Sequence, residues 1–572
     1  MTYTHTLMLR QAVALLISLF LFGLGTQLHA QQNNPDNSLL PEIDPQDIEI
    51  RSQFKARFPG LRRQPILGFD PTPRVYQIDP NRMPFMETQE QVVASLPVSE
   101  LSRPDPPAYN ALRYSEDIQA VARLGYGSYA SPVAQAWGVY RLDNGYIGGD
   151  VNYSSSGGHL DAQPSSFRFF DANVDYATKL NNKTQLHVTA GGQSDFNHMF
   201  DIASQTATPR KSYTGLNLSA DIQQFKNTIE GWSASASIRN FTTDLTLDSG
   251  VQNQDELVYA GSFKKQWAGQ HINETFAAVA GARGGNYSFA PDDQTWSTLH
   301  AGAEYSRLFN YTTEVTGRAE VYYVTSLSQS EIYFAPFVNV VHTFTDKLKL
   351  SGTAQAKPFI ETVEQQHQAN RFLSTNNAFV HSYSIDASAK VSYKYFRGST
   401  IEGGVSYNNT ENKKFYFRQP TVNPGGGAAI DGYYGVGYQN ANTIKAFGSI
   451  SHQLIPEKFW LSGQFYVQNP KFSNGNRMPY QEQWGVNSSA SVRLFNKLII
   501  EGWADYVGSR ERFNPNESLD GFLLVGAQGD FEITKNIGAY LKVVNLLSQE
   551  YEIWDGYTER PFQVYGGITI KL

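Results

Sequence analysis

The chain has 572 residues, of which 13% are aromatic and 47 are glycine, with no cysteine and a formal net charge of -7. The missing cysteine excludes disulfides, a lipid-attachment thiol and thiol chemistry, and the weakly negative balance offers no basic face for nucleic acid. High aromatic content at a mildly hydrophilic average fits a transmembrane β-barrel, in which lipid-facing apolar residues alternate with polar lumen residues and aromatic girdles mark the interfaces.

Residues 1–30 read as a secretory signal cut after Ala30, from Arg10, an apolar run at 12–22 and the small-residue end Leu28-His29-Ala30. That run is shorter than the roughly 18 apolar residues a spanning helix needs, and no later stretch reaches that length.

Residues 31–118 hold 13 of the 26 prolines, in pieces such as Pro71-Thr72-Pro73 and Pro104-Asp105-Pro106-Pro107. Proline cannot donate to a ladder, so this is extended chain, with one short helix expected near residues 87–95. It is either a soluble periplasmic linker or an ordered strap inside the lumen. In the second case Arg57, Arg62, Arg63, Arg74 and Arg82 are placed to pair with lumen carboxylates.

Residues 119–572 change to long alternating stretches. In the last one Phe562, Val564, Gly566, Ile568, Ile570 and Leu572 fall on one face, with Gln563, Tyr565, Gly567, Thr569 and Lys571 on the other. Leu350 and Ala354 likewise oppose Lys349, Ser351 and Thr353, and Ala387, Ala389 and Val391 oppose Asp386, Ser388 and Lys390. Many stretches pass ten residues, longer than strands of soluble sandwiches. Short turns are expected near 142, 180, 225, 267, 310, 345, 397, 456, 496 and 535, alternating with long loops such as 409–440 and 547–561. Ten hairpins plus a first strand at 118–129 and a last at 563–572 make an all-β antiparallel barrel of about 22 strands.

The end of the chain carries a family resemblance. Val544-Asn545-Leu546-Leu547 with the downstream Tyr551, and the closing strand at 562–572, resemble the barrel of TonB-dependent receptors, although Leu572 stands where that family usually ends in Phe. Gly125-Tyr126-Gly127-Ser128-Tyr129 resembles the first hairpin after a receptor plug. The resemblance implies a plug domain, for which residues 31–118 are too few and lack a glycine-rich signature. Glu90-Gln91-Val92-Val93-Ala94 is the nearest approach to a TonB box. A barrel this wide needs a filler: the proline-rich segment, inward-folded loops or a partner protein.

His342 and His452 lie beside turns and Gln366-His367 in an outer loop, without the spacing of a metal or nucleophilic site. Gly425-Gly426-Gly427 lacks the Lys and Ser or Thr of a phosphate cradle. No catalytic residue, metal or cofactor is therefore expected, and the chain does not read as an enzyme. Candidate ligand contacts are the outer-loop aromatics Tyr433, Tyr434, Tyr438, Tyr551, Trp554 and Tyr557, beside Phe415, Tyr416 and Phe417. Their faces stack on flat ligands, or equally on one another. Glu314, Arg318 and Glu320 are candidate lumen charges, tuning solute preference or forming a solvated face.

Two functions fit these expectations. One is an outer-membrane transport or receptor barrel that admits or binds a nutrient-class ligand, with TonB or a surface or periplasmic protein as partner. The other is a plugless scaffold subunit of an outer-membrane assembly, occluded by its own segment or by a partner. Both require outer-membrane lipid and the barrel assembly machinery.

Overall fold

The computed structural model describes residues 120–572, apart from 162, 203–206, 226–228, 272, 289–292, 327–328, 376, 378, 419–431, 456–457, 496 and 515–516. The signal, the segment at 31–118 and the short helix near 87–95 lie outside the described residues.

Among the described residues, twenty-two antiparallel strands form one sheet that closes on itself. Closure is made by the first and last strands, Ala120–Gly127 and Gln563–Lys571, in register from Val121 opposite Lys571 to Gly127 opposite Tyr565. The last strand pairs on its other side with Ile537–Val544, so no edge is left open. The seam is narrow at its glycines: a Cβ on Gly567 would sit 2.2 Å from the Leu124 carbonyl oxygen.

All ten short turns fall where the alternation breaks, among them Leu142 to Gly145, Thr345 to Leu348 and Glu532 to Ile537. The opposite rim is less uniform than expected. Its connections from Gly127 to Ser131, Leu247 to Gly250 and Ser326 to Gln329 are also tight, whereas those at 360–381, 473–483, 508–521 and 545–562 are long. The expected loop at 409–440 is largely strand, because Ser399–Arg418 and Tyr434–Ile455 stay paired as far as Arg418 opposite Tyr434. The polar run around Asn412 reads locally as a loop. It is instead a bulge, with Asn412 at φ 54° and the register shifting between Thr410 and Lys413. Phe415, Tyr416 and Phe417 are therefore strand residues.

The pleat sorts the two faces. Aliphatic side chains such as Leu218, Val321, Val405 and Ile444 stand exposed on the outside. Trp267, Phe276, Phe344, Phe396 and Phe531 are exposed near the short turns, and Tyr126, Tyr259, Tyr323, Tyr407 and Trp484 toward the other end. Two aromatic belts flanking an apolar band are what a bilayer imposes on a barrel. No described helix is long and apolar enough to cross a membrane.

Polar groups on the inside pair across strands. Lys264 reaches Glu304 at 2.8 Å and Arg123 reaches Asp530 at 2.7 Å, the latter spanning the seam under the Tyr540 ring.

Candidate functional site

The long connections do not stand away from the barrel; they fold over its mouth. Residues 199–202 leave the fifth strand, while Arg418 and Tyr434 flank the connection between the fifteenth and sixteenth. Ten strands apart in a barrel of 22, these positions are nearly opposite. They nevertheless touch: Arg418 forms ion pairs with Asp201 and, at 3.5 Å, with Asp555 of the last long connection. Gly432, at φ 105°, lies so close to Asp201 that a Cβ would stand 2.6 Å from its carbonyl oxygen.

An aromatic cluster fills the meeting point. Phe372 stacks on Tyr557 with centroids 3.5 Å apart, and Phe200 meets the same tyrosine edge-on. Trp554 lies 5.2 Å from each of Tyr416, Tyr434 and Tyr480. The hydroxyl of Tyr557 donates to the Gly432 carbonyl at 2.6 Å and that of Tyr434 to the Asp555 carbonyl at 3.0 Å. Beneath them the Arg510 guanidinium donates to the carbonyls of Glu552 and Ile553, tying down the hairpin of Glu552–Trp554 and Tyr557–Thr558.

The aromatic residues singled out in the sequence thus come together. Tyr434, Trp554 and Tyr557 are buried in the cluster, and Tyr433 and Tyr551 are half-buried against it. Tyr551 also stacks on Phe522, and burial raises its hydroxyl pKa. Tyr438 stands apart, accepting from the Gln366 side chain at 3.0 Å. The Tyr557 ring is covered by Phe372, and Tyr434 and Trp554 pack on each other and on Tyr480.

The connection at 360–381 carries a feature the sequence did not announce, the helix Val363–Ala369. Thr362 caps it: its hydroxyl accepts from the Gln365 amide while the Gln365 side chain accepts from the Thr362 amide. The helix is pressed against the inner wall. Glu256 accepts from the Val363 amide at 2.6 Å and from Trp296 Nε1 at 2.9 Å. Glu364 pairs with Arg239 at 2.9 Å and accepts from Gln193 at 2.7 Å; burial raises its carboxyl pKa.

Lys211, fully buried, ends on His367 Nδ1 at 2.6 Å and on the carbonyls of Arg371 and Leu373 at 3.1 and 2.7 Å. Its Nζ thus meets three acceptors, which satisfies a side chain whose complete burial works against its charge. Burial first, and the Lys211 charge second, hold His367 well below the usual histidine pKa, so its ring is the neutral acceptor.

Of the lumen charges, Arg318 and Glu320 touch at 3.3 Å within a cluster that includes Glu304, 3.8 Å from Arg318, and His300, 3.9 Å from Glu320. Glu314 shares their side of the strand but lies exposed near the turn, outside this cluster. His342 bonds Thr313, and His452 packs on Tyr395 and bonds Ser399. Among the described residues no group of three or more His, Asp or Glu is placed to hold a metal.

Residues missed by the sequence reading are Lys211, Arg239 and Glu256, which anchor the loop, and Arg371 and Arg560, which flank a cleft beside the cluster. The partners of Lys211, Arg239, Glu256 and Arg371 lie more than 100 positions away, so spacing carries no trace of them.

No family model and no curated protein matches this sequence. Solved structures do match. The copper transporter OprC aligns at TM-score 0.63 and 11% identity over 79% of this chain and 80% of its own. The FrpB iron transporter from Neisseria meningitidis (F3-3 variant) aligns at 0.63 and 8% over 82% and 83%, and the ferric-catecholate import receptor Fiu from E. coli K12 at 0.61 and 10% over 80% and 82%. All three are transporters or receptors, and none is an enzyme. At such identities the likeness speaks for architecture: this chain shares the fold of these transporter and receptor barrels, with 22 strands among its described residues.

Proposed function

We propose that this protein is an outer-membrane transport barrel that admits, or binds for import, a nutrient-class ligand at the cell surface, with its outer loops as the gate. The observation that carries this reading is the closed mouth. Loops from well-separated parts of the rim, the Arg418–Asp201 pair from nearly opposite sides, meet through ring stacks, ion pairs and single hydrogen bonds rather than through a continuous ladder, and such contacts part at modest cost compared with strand pairing. The aromatic set Tyr433, Tyr434, Tyr438, Tyr551, Trp554 and Tyr557 is then what an arriving ligand displaces. Arg318 and Glu320 form the charged wall behind it, with Glu314 nearer the periplasmic rim. A TonB-type partner belongs to this reading because Val544-Asn545-Leu546-Leu547, Tyr551 and the closing strand resemble the barrel of TonB-dependent receptors.

The buried faces of the cluster favour a second reading, a permanently occluded scaffold subunit. Planar-bilayer recordings separate the two. Tyr557→Ala removes both the Phe372 stack and the bond to Gly432, while leaving the barrel ladder intact. For a gate, the wild type conducts little and the variant shows large, fluctuating openings. Equal silence from both proteins, also when residues 31–110 are deleted from each, rejects the gate and leaves the scaffold.

A further inference from the structure

We infer that Arg168 and Arg210, on the outer surface of the barrel at the rim away from the short turns, hold the phosphate monoester of an outer-leaflet lipid. This surface faces the bilayer rather than the lumen, so the assignment is independent of the transport reading.

The two arginines belong to the fourth and sixth strands, Phe167–Asn181 and Arg210–Phe225, which flank the fifth, Thr184–His198. Val174, Tyr176 and Leu180 on the fourth strand and Leu216 and Leu218 on the sixth stand exposed on the outside. Arg168 and Arg210 have the same parity as these residues and so share their face. The alternation is plain at the next position, where Lys211 turns inward to His367 and is buried while Arg210 is exposed. Height follows from the same strands. Arg168 lies twelve residues from Leu180, and Arg210 twelve from Ile222, both of which are close to short turns. At roughly 3.3 Å per residue and a tilt of about 40°, that is a climb of about 30 Å. The apolar band of such a barrel is about 25 Å tall, so both guanidiniums clear the hydrocarbon and reach the headgroups.

One ring gathers the two cations. Phe196 lies opposite Arg168 on one side and Ser212 on the other, and its centre is 5.2 Å from the Arg168 guanidinium and 4.2 Å from that of Arg210. Among the described residues neither arginine has a carboxylate at ion-pair distance. Arg168 donates to the Ser194 hydroxyl at 3.4 Å, and its buried Nε has no acceptor. Asp195 has the inward parity and accepts from the Phe170 amide at 2.8 Å. Asp244, outward on the next strand opposite Ser212, feels the charge of Asp255 rather than of Arg210. Two fixed positive charges match a phosphate monoester, which carries about 1.5 to 2 negative charges near neutral pH, and guanidinium forks suit its oxygens. The exposed Val174, Leu216 and Leu218 below the pair provide an apolar wall for acyl chains, which a free phosphate does not use.

Native mass spectrometry of the purified full-length barrel tests this, in micelles doped with phosphatidate, phosphatidylglycerol or phosphatidylcholine and with glycerol 3-phosphate as soluble competitor. Phosphatidate should be retained in preference to the diester phosphatidylglycerol and to phosphatidylcholine, and an equal concentration of glycerol 3-phosphate should not displace it. Arg168→Gln combined with Arg210→Gln should lower phosphatidate retention about ten-fold or more, and the corresponding pair of Lys substitutions less so. Lys265→Gln, which removes an outward cation near the opposite rim, should leave retention unchanged. Heat-modifiable gel migration confirms that each variant is folded. Equal retention of either other lipid, wild-type retention in the double Gln variant, or an equal loss in Lys265→Gln each overturns the assignment. Displacement by equimolar glycerol 3-phosphate overturns it in favour of a site for soluble phosphate.

Discussion

At the scale of single residues, what a side chain does in this barrel is decided by its parity along the strand. Leu350 is exposed on the outer surface, and its neighbour Ser351 bonds across to the Lys390 carbonyl. Ala389 and Ser388, opposite Gly352 and Thr353, repeat the pattern on the next strand. Arg introduced at Leu350 or Ala389 should therefore hinder assembly, by about 2–4 kcal/mol near the bilayer midplane, whereas Arg at Ser351 or Ser388 should be accepted by the wet interior. The readout is the fraction of heat-modifiable barrel in the membrane; equal loss from both pairs would mean that the register is wrong. This parity was legible in the sequence because lipid and water impose a period of two. The partners of Lys211 were not, since His367, Arg371 and Leu373 come from a connection more than 150 positions away.

At the scale of elements, the connection at 360–381 is the part most open to regulation by pH. Around His367 stand Lys211 from the wall, Phe241 stacked on the ring at 6.1 Å, Glu364 on its own helix with Arg239, and Arg371 farther along the loop. The docked loop needs His367 neutral, whereas an undocked loop titrates near the ordinary value of about 6.5. Docking is thus at full strength above that pH and weakens as pH falls below it, by up to about 1.4 kcal/mol per unit. Glu364 has the opposite sign: burial raises its pKa, so its protonation at lower pH relieves the docked state and limits the effect. Trypsin cleavage after Arg371, divided at each pH by the cleavage rate of an unstructured arginyl peptide, should be faster at about pH 5.5 than at about pH 7.5, and His367→Gln, which keeps an acceptor for Lys211, should flatten the difference. A pH difference that survives this substitution would place the switch elsewhere. The capped helix escaped the sequence reading because seven residues make a weak periodic signal. Its docking also depends on Glu256, a residue more than 100 positions earlier.

At the scale of the molecule, closure of the first strand on the last makes the barrel independent of what precedes Ala120. Deleting residues 31–110 should therefore leave a folded barrel, since every ladder bond is supplied within residues 120–572. Conductance and uptake of large antibiotics should both rise if that segment is a lumenal strap, held by arginines such as Arg57 and Arg62 on Glu314, Glu320 or Asp386. If the folded loops alone occlude the pore, both stay at the wild-type level, and the segment is a periplasmic tether for a partner. Unfolding of the truncated barrel would contradict the independence argued from the closure.

The sequence alone determined the class, the strand number and the sidedness of the barrel, because bilayer and lumen act on each residue locally and leave a period of two broken only at turns. Even the closing hairpin is local: Asn545, at φ 51°, turns the chain by bonding the Gln549 backbone through both ends of its amide. The state of the mouth was decided only in three dimensions. The same aromatic residues at 433–438 and 551–557 suit an open binding surface or a packed lid. Which one forms depends on whether Phe200, Phe372 and Tyr480 arrive from distant connections to cover them. Contacts between loops joined only through the barrel wall leave no spacing in the sequence, so neither the lid nor the cleft at Arg560 could be read before the strands had set where each loop begins.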